Sequence, residues 1–168
     1  MPQSEKEQFL QTYDREHTIT MRVLNAFPKD KGDFRPHERL KTARELAWVI
    51  ALERYLGMRV FHDEFAKGMP TGSTPPKPPE TWDALLAGIE KGSREYRDMI
   101  SAAPDADLSK QVHFLTAPKT MGTTPRIDWL WFLLSDEIHH RGQFSLYVRA
   151  VGAKLPSIYG PTADEPWF

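Results

Sequence analysis

The chain has 168 residues and a formal net charge of −1; it is long enough to bury a core without covalent staples, and the charge gives no reason to expect nucleic acid as a partner. It has no cysteine, which excludes disulfides, thiolate metal ligands and a cysteine nucleophile, and which suits a reducing compartment. No stretch reaches the ~18 apolar residues of a membrane span, and the polar start Met-Pro-Gln-Ser-Glu-Lys-Glu lacks a signal peptide's apolar segment, so a cytoplasmic protein is expected, without a membrane partner.

The prolines and glycines concentrate at 28–36, 68–79, 104–125 and 152–166, and the four long stretches that remain are nearly free of proline. That punctuation predicts four helices. The first runs from about Ser4 to Ala26: Phe9, Tyr13, Ile19, Val23 and Leu24 recur at helical spacing, Ser4 and Glu7 form a capping box, and Phe27-Pro28 ends the run. The second spans about Lys41 to Lys67, with Leu46, Val49, Ile50, Leu56, Val60 and Phe61 as its apolar stripe, a capping box at Thr42 and Glu45, and Gly68 as its stop. Residues 68–79, Gly-Met-Pro-Thr-Gly-Ser-Thr-Pro-Pro-Lys-Pro-Pro, read as an extended loop.

The third helix spans about Glu80 to Ala103 through Trp82, Leu85, Leu86, Ile89, Tyr96 and Ile100. Gly88 and Gly92 either weaken it or admit a close neighbour. Residues 104–125 are irregular apart from Gln111–Leu115, which reads as a short strand. The fourth helix runs from about Arg126 to Val151, Gly152 ends it, and an extended tail with Lys154-Leu-Pro-Ser-Ile-Tyr-Gly-Pro161 crosses the bundle. With no internal repeat and no linker, residues 1–168 form one domain: an all-α, antiparallel four-helix bundle with long loops.

The fourth helix carries the chemistry. At 100° per residue, Trp129, Phe132, Asp136, His140, Gln143, Tyr147 and Ala150 share a face that is apolar at its ends and polar in its middle. Asp136 and His140 are i, i+4 neighbours, near enough to share a ligand; the alternative is a hydrogen-bonded pair that only fixes the helix. Trp129 and Tyr147 read as core aromatics. Leu130, Leu134 and Ile138 lie opposite, so the first half of the helix is apolar all round. With Trp131 outward, this predicts a covered surface and a homodimer.

Glu53 sits in the apolar stripe of the second helix, which is costly unless it is paired or ligating; otherwise its head reaches water from the stripe edge. His17, His37 and His62 read as surface or loop residues, His113 lies in the irregular segment, and His139 points about 100° away from His140. Glu137-Ile-His-His140 matches Glu-x-x-His once only, too little for a ferritin-like di-iron site.

His139-His-Arg-Gly-Gln143, Tyr147-Val-Arg149, Gly152 and Pro156-Ser-Ile-Tyr-Gly-Pro161 resemble the C-terminal signature of the DinB-like family, named for a DNA-damage-inducible protein. Arg44-Glu-Leu-Ala-Trp48 through Leu52-Glu53 resembles the start of that family's second helix. The resemblance implies a four-helix bundle, a homodimer, and a divalent metal held by three histidines, one on the second helix and two four apart on the fourth. His140 matches the last of these, Asp136 stands at its i−4 partner, and Val49 stands where the second-helix histidine is expected. One turn beyond Val49, Glu53 offers a third donor, and such a set leans towards manganese, iron or zinc over the nickel or zinc of a His₃ site.

Two functions compete. Following the resemblance, the chain is a divalent-metal-dependent enzyme, a thiol transferase or hydrolase, acting on a small molecule with a low-molecular-weight thiol as cosubstrate. Asp136, His140 and Glu53 hold the metal, Gln143 orients the ligand, Arg141 binds an anionic cosubstrate near the mouth, and Tyr147 and Val49 line the site. Alternatively the bundle has lost its metal, as Val49 favours, and binds a small molecule or a protein.

Overall fold

The computed structural model describes residues 3–68 and 74–168. Four long helices carry it: α1 Glu5–Asn25, α2 Ala43–Phe61, α3 Trp82–Ala102 and α4 Arg126–Ala150. Both expected capping boxes are formed: Ser4 Oγ accepts from Glu7 N while the Glu7 carboxylate accepts from Ser4 N, and Thr42 and Glu45 repeat the arrangement. Gly152 closes α4 at φ +76, in the left-handed region glycine favours. Among the described residues, no helix is long and apolar enough to cross a membrane.

Each helix touches two others: α1 packs on α3 and α4, and α2 packs on the same two. The pairings set the directions. Tyr13 meets Tyr96 and Phe27 meets Trp82, so α1 and α3 run antiparallel. Arg54 meets Glu137 while Tyr147 reaches Lys41, so α2 and α4 do too. Phe9 meets Trp131 and Phe27 meets Phe144, so α1 and α4 are parallel, as are α2 and α3, where Trp48 lies by Gly88 and Tyr96 by Gly57. A parallel neighbour needs a connection that travels the bundle's length, and residues 62–81 are long enough to make it. Their stretch 74–79 has no regular structure; the rest of the expected extended loop, 69–73, lies outside the described residues.

Two predicted boundaries move. α2 stops at Phe61 instead of Lys67, because Asp63 turns to φ 55 and its carboxylate accepts the backbone N–H of His113 at 2.8 Å. The expected strand is part of a hairpin: β1 Gln111–Ala117 pairs antiparallel with β2 Thr120–Pro125. The second strand, Thr-Met-Gly-Thr-Thr-Pro, hides behind its glycine and proline.

The core is two apolar clusters. One holds Leu24, Phe27, Leu46, Trp82, Ile89, Phe144 and Val148; the other holds Phe9, Tyr13, Val60, Tyr96, Trp129, Leu130 and Leu133. Between them lies a polar waist to which all four helices contribute: Glu16 and Thr20, Glu53 and Arg54, Ser93, and Glu137 and Arg141, all buried. Just below it, a Cβ on Gly57 would fall 2.7 Å from the Tyr96 ring and 2.8 Å from Leu133. That glycine lets α2 approach α3 and α4 closely. Gly88 does the same for the Trp48 ring, at 3.1 Å.

The waist corrects the expected orientation of α4. Its most buried line is Leu130, Leu133, Leu134, Glu137, Arg141, Phe144 and Val148. The face expected inside is a flank: Trp129 and Tyr147 are buried, Asp136 and His140 half-buried, and Phe132, Gln143 and Ala150 exposed. Trp131, expected outward, is half-buried and packs edge-on against Phe9 at 5.1 Å. The apolar surround of this half-helix is thus covered largely by its own chain.

Candidate metal centre on the α2–α4 seam

Antiparallel packing of α2 on α4 brings Glu53 opposite His140, one layer from Arg54 opposite Glu137. His140 Nδ1 lies 2.8 Å from Glu53 Oε1 and 3.7 Å from Asp136 Oδ1. One ligand atom from each of the three lies within 4.8 Å of the others. Those spacings suit donors around one cation, since bonds near 2.1 Å at tetrahedral angles put ligand atoms roughly 3.4 Å apart.

The electrostatics are those of a buried acid beside a titratable base. Glu53 is 5% exposed, and its burial pushes its pKa up to about 7, against the opposing pull of the His140 hydrogen bond and the Arg54 charge. His140 is raised in turn, first by its hydrogen bond to Glu53. Both shifts keep a proton within the pair near neutral pH. Glu53 Oε2 is buried without a hydrogen-bond partner among the described residues, so the carboxylate retains an acceptor that a cation would satisfy.

Glu53 and Asp136 form one wall of a cavity of about 360 Å³, within the range of small-molecule sites. Its other sides are mainly apolar, with Val49, Leu52, Leu56 and Phe65, and Arg59 at the edge. Val49 therefore meets the cavity with an aliphatic side chain and offers no donor.

The remaining residues singled out in the sequence lie elsewhere. Arg141 is 1% exposed. It points towards α1, where its guanidinium donates to the Glu16 carboxylate at 2.7 Å, to Glu16 O at 3.0 Å and to the Tyr159 hydroxyl. This corrects its expected place at the mouth: Glu16 and the tail consume the charge. Gln143 is exposed and bonds His139 at 2.9 Å, away from the triad. The Tyr147 hydroxyl donates to Lys41 O at 2.9 Å, tying α4 to the start of α2. His113 pairs with Asp63 and holds the hairpin against the end of α2. Sequence reasoning missed the Arg54–Glu137 pair, although their neighbours Glu53 and His140 were read. Their one signal was a charged residue on the helix line that also carries Leu130, Leu133 and Phe144.

The DinB family model matches residues 1–166. The chain is 22% identical over 158 residues to YrdA, an uncharacterized protein of Bacillus subtilis strain 168, covering 94% of this chain and 89% of that protein. A DinB-like protein from Bacillus cereus ATCC 10987 has a similar structure, with TM-score 0.71 and 20% identity over 90% of this chain and 95% of the other. So does the DinB-like protein YjoA of Bacillus subtilis, with TM-score 0.66 and 17% identity over 90% and 97%. At these identities the structures speak for the fold alone, and the chemistry rests on this chain's own residues.

Proposed function

The chain belongs to the DinB family, and we propose that Glu53, Asp136 and His140 hold a divalent cation that serves a small-molecule reaction in the adjoining cavity. The observation that carries this is the convergence of the three donor atoms within 4.8 Å, from two helices, at the wall of an apolar pocket. Two carboxylates and one imidazole form a harder set than three histidines and favour manganese, iron or zinc over nickel. A cation bound there supplies Lewis-acid activation of a coordinated oxygen or thiol.

The protein's own part is to orient and to exclude water. Glu53 is fixed by burial and by His140, while Asp136 and His140 are fixed one turn apart on α4. Val49, Leu52 and Leu56 keep the cavity apolar, which strengthens charge interactions within it. The family resemblance adds group transfer or hydrolysis as the reaction class and a low-molecular-weight thiol as cosubstrate.

One observation favours a second reading, a metal-free binding bundle: the Glu53–His140 bond at 2.8 Å already neutralises both groups, and Val49 adds no ligand. Calorimetric titration of untagged protein with manganese, zinc and nickel separates the two. Binding that His140→Ala weakens at least ~100-fold supports the metal centre. Val49→His should then raise nickel and zinc affinity by adding a second imidazole to the set. Tight binding that survives His140→Ala would overturn the assignment, and no binding at all would leave the metal-free reading.

A further inference from the structure

The cavity beside the triad continues into a second one. A groove of about 450 Å³ shares Val49, Leu52 and Pro75 with it. The groove runs past Trp48, whose indole N–H donates to Pro76 O at 2.8 Å and pins the proline-rich segment beside it. Four cations line its far part: Arg35, Arg39, Lys41 and Lys77. Only one carboxylate, Glu45, stands with them, and it is already engaged in capping α2 through the backbone N–H of Thr42. None of the four cations makes an ion pair among the described residues, whereas most other arginines of the chain do.

In a chain whose net charge is −1, four unpaired cations on one groove are a local excess. Glu45 offsets one of them; like charges gathered in excess of their counter-charge repel one another and are tolerated most readily where an anion visits them. The position matters as much as the charge. The cations lie beyond an apolar middle made by Val49, Leu52 and Trp48, with the triad at the opposite end.

We infer that the substrate of this site is an elongated small molecule. Its reacting group lies at Glu53, Asp136 and His140, its apolar middle lies along Val49, Leu52 and Trp48, and an anionic tail is held by Arg35, Arg39, Lys41 and Lys77. The inference rests on the proposed function for the identity of the reacting end. The anionic end stands on the groove alone and is tested without metal. It also places the recognition of an anion on the loop before α2 and not on Arg141.

The test uses metal-free protein and hexyl phosphate as the probe, with hexanol and inorganic phosphate as comparisons, followed by amide NMR and calorimetry. Hexyl phosphate should bind saturably, shift the Trp48 indole and the Val49 and Leu52 amides, and bind at least ~10-fold more tightly than hexanol or inorganic phosphate. Arg35→Gln with Arg39→Gln should weaken it at least ~10-fold. Both side chains are exposed, so folding should be unaffected. Lys119→Gln with Arg94→Gln, which removes two exposed cations elsewhere, should change nothing. Equal binding of hexanol, shifts spread over surface lysines outside the groove, or an Arg35/Arg39 double variant that binds as the native chain does would overturn the inference. Hexyl phosphate binding by a native chain that takes up no manganese, zinc or nickel would sink the metal centre and leave the anionic groove standing.

Discussion

Two acid–base pairs cross the α2–α4 seam one layer apart and differ in almost everything except geometry. Arg54 and Glu137 are both fully buried, their guanidinium–carboxylate bond is enclosed by the rings of Tyr13 and Tyr96, and neither lines the cavity beside the triad. Glu53 sits at a cavity wall, half-buried His140 lies against it, and each has its proton affinity raised, Glu53 by burial and His140 by its bond to Glu53. A guanidinium does not deprotonate in a protein, so Arg54 holds its charge permanently. The second pair can release its proton to solvent when a cation takes its place. The comparison teaches that the waist combines a structural charge pair with an exchangeable one, and that α2 assigns the two roles to adjacent residues.

The sharpest way to break the comparison is to remove one member of the permanent pair. Glu137→Ala leaves Arg54 charged, wholly buried and without the one carboxylate it hydrogen-bonds among the described residues. Removing one partner of such a pair typically costs about 3–5 kcal/mol. Chemical denaturation should show that loss, with Glu137→Ala and Arg54→Met as paired single variants. A loss below about 1 kcal/mol for Glu137→Ala would mean that the pair is not structural and that the waist is hydrated and adaptable.

The waist also explains what was legible in the sequence. The four helices, their caps and their approximate ends follow from periodicity, Ser4, Thr42 and Gly152, because these are local signals. Asp136, His140 and Glu53 were legible as a group, because i, i+4 spacing and a carboxylate in an apolar stripe are also local. The centre of the buried face of α4 was not. Glu137 and Arg141 occupy it, and a helical wheel assigns charged residues to solvent unless a partner on another helix is known. Those partners, Arg54 and Glu16, lie 83 and 125 residues away. The face rotated by that misreading put Phe132 and Gln143 inside and Arg141 at the mouth. The hairpin partner β2 was hidden for a similar reason, since its pairing with β1 supplies the order that Gly122 and Pro125 withhold locally.

The exchangeable pair predicts a pH dependence that the permanent pair does not share. A cation at the triad needs Glu53 ionised and His140 free of a proton on its ligating nitrogen. Glu53 is raised to about 7 and His140 is raised as well, so protons compete for the site as pH falls through neutrality. Zinc or manganese affinity should therefore weaken from pH 8 to pH 6 by about tenfold for each proton displaced. Calorimetry in two buffers of different ionisation enthalpy should show proton release on binding. Affinity independent of pH over this range would place the cation elsewhere.

The smallest effect sharpens the comparison from the α1 side of the waist, where a third pair, Arg141 with Glu16, is completed by the tail. The Tyr159 hydroxyl donates to Glu16 Oε2 at 2.5 Å and accepts from Arg141, while the Tyr159 ring itself is largely exposed. Burial works to raise the Glu16 pKa, but the hydrogen bonds from Tyr159 and Arg141 outweigh it and the net shift is downward. A carboxyl whose folded pKa lies below its unfolded value stabilises the fold at pH above the unfolded value, and that contribution is lost as pH falls through the folded one. Tyr159→Phe removes one of the three side-chain partners that lower this carboxyl, keeps the exposed ring and leaves the Arg141 and Arg15 bonds to Glu16 in place. Thermal unfolding at pH 7 should show a loss of about 1 kcal/mol, the usual worth of one hydrogen bond to a charged group in a partly open setting. The loss should shrink as pH falls below about 4.5, where Glu16 takes up its proton in the unfolded chain first and in the folded chain only at lower pH. A loss that stays constant from pH 7 to pH 3 would assign the hydroxyl to tail packing alone and leave Arg141 and Arg15 as the sources of the Glu16 shift.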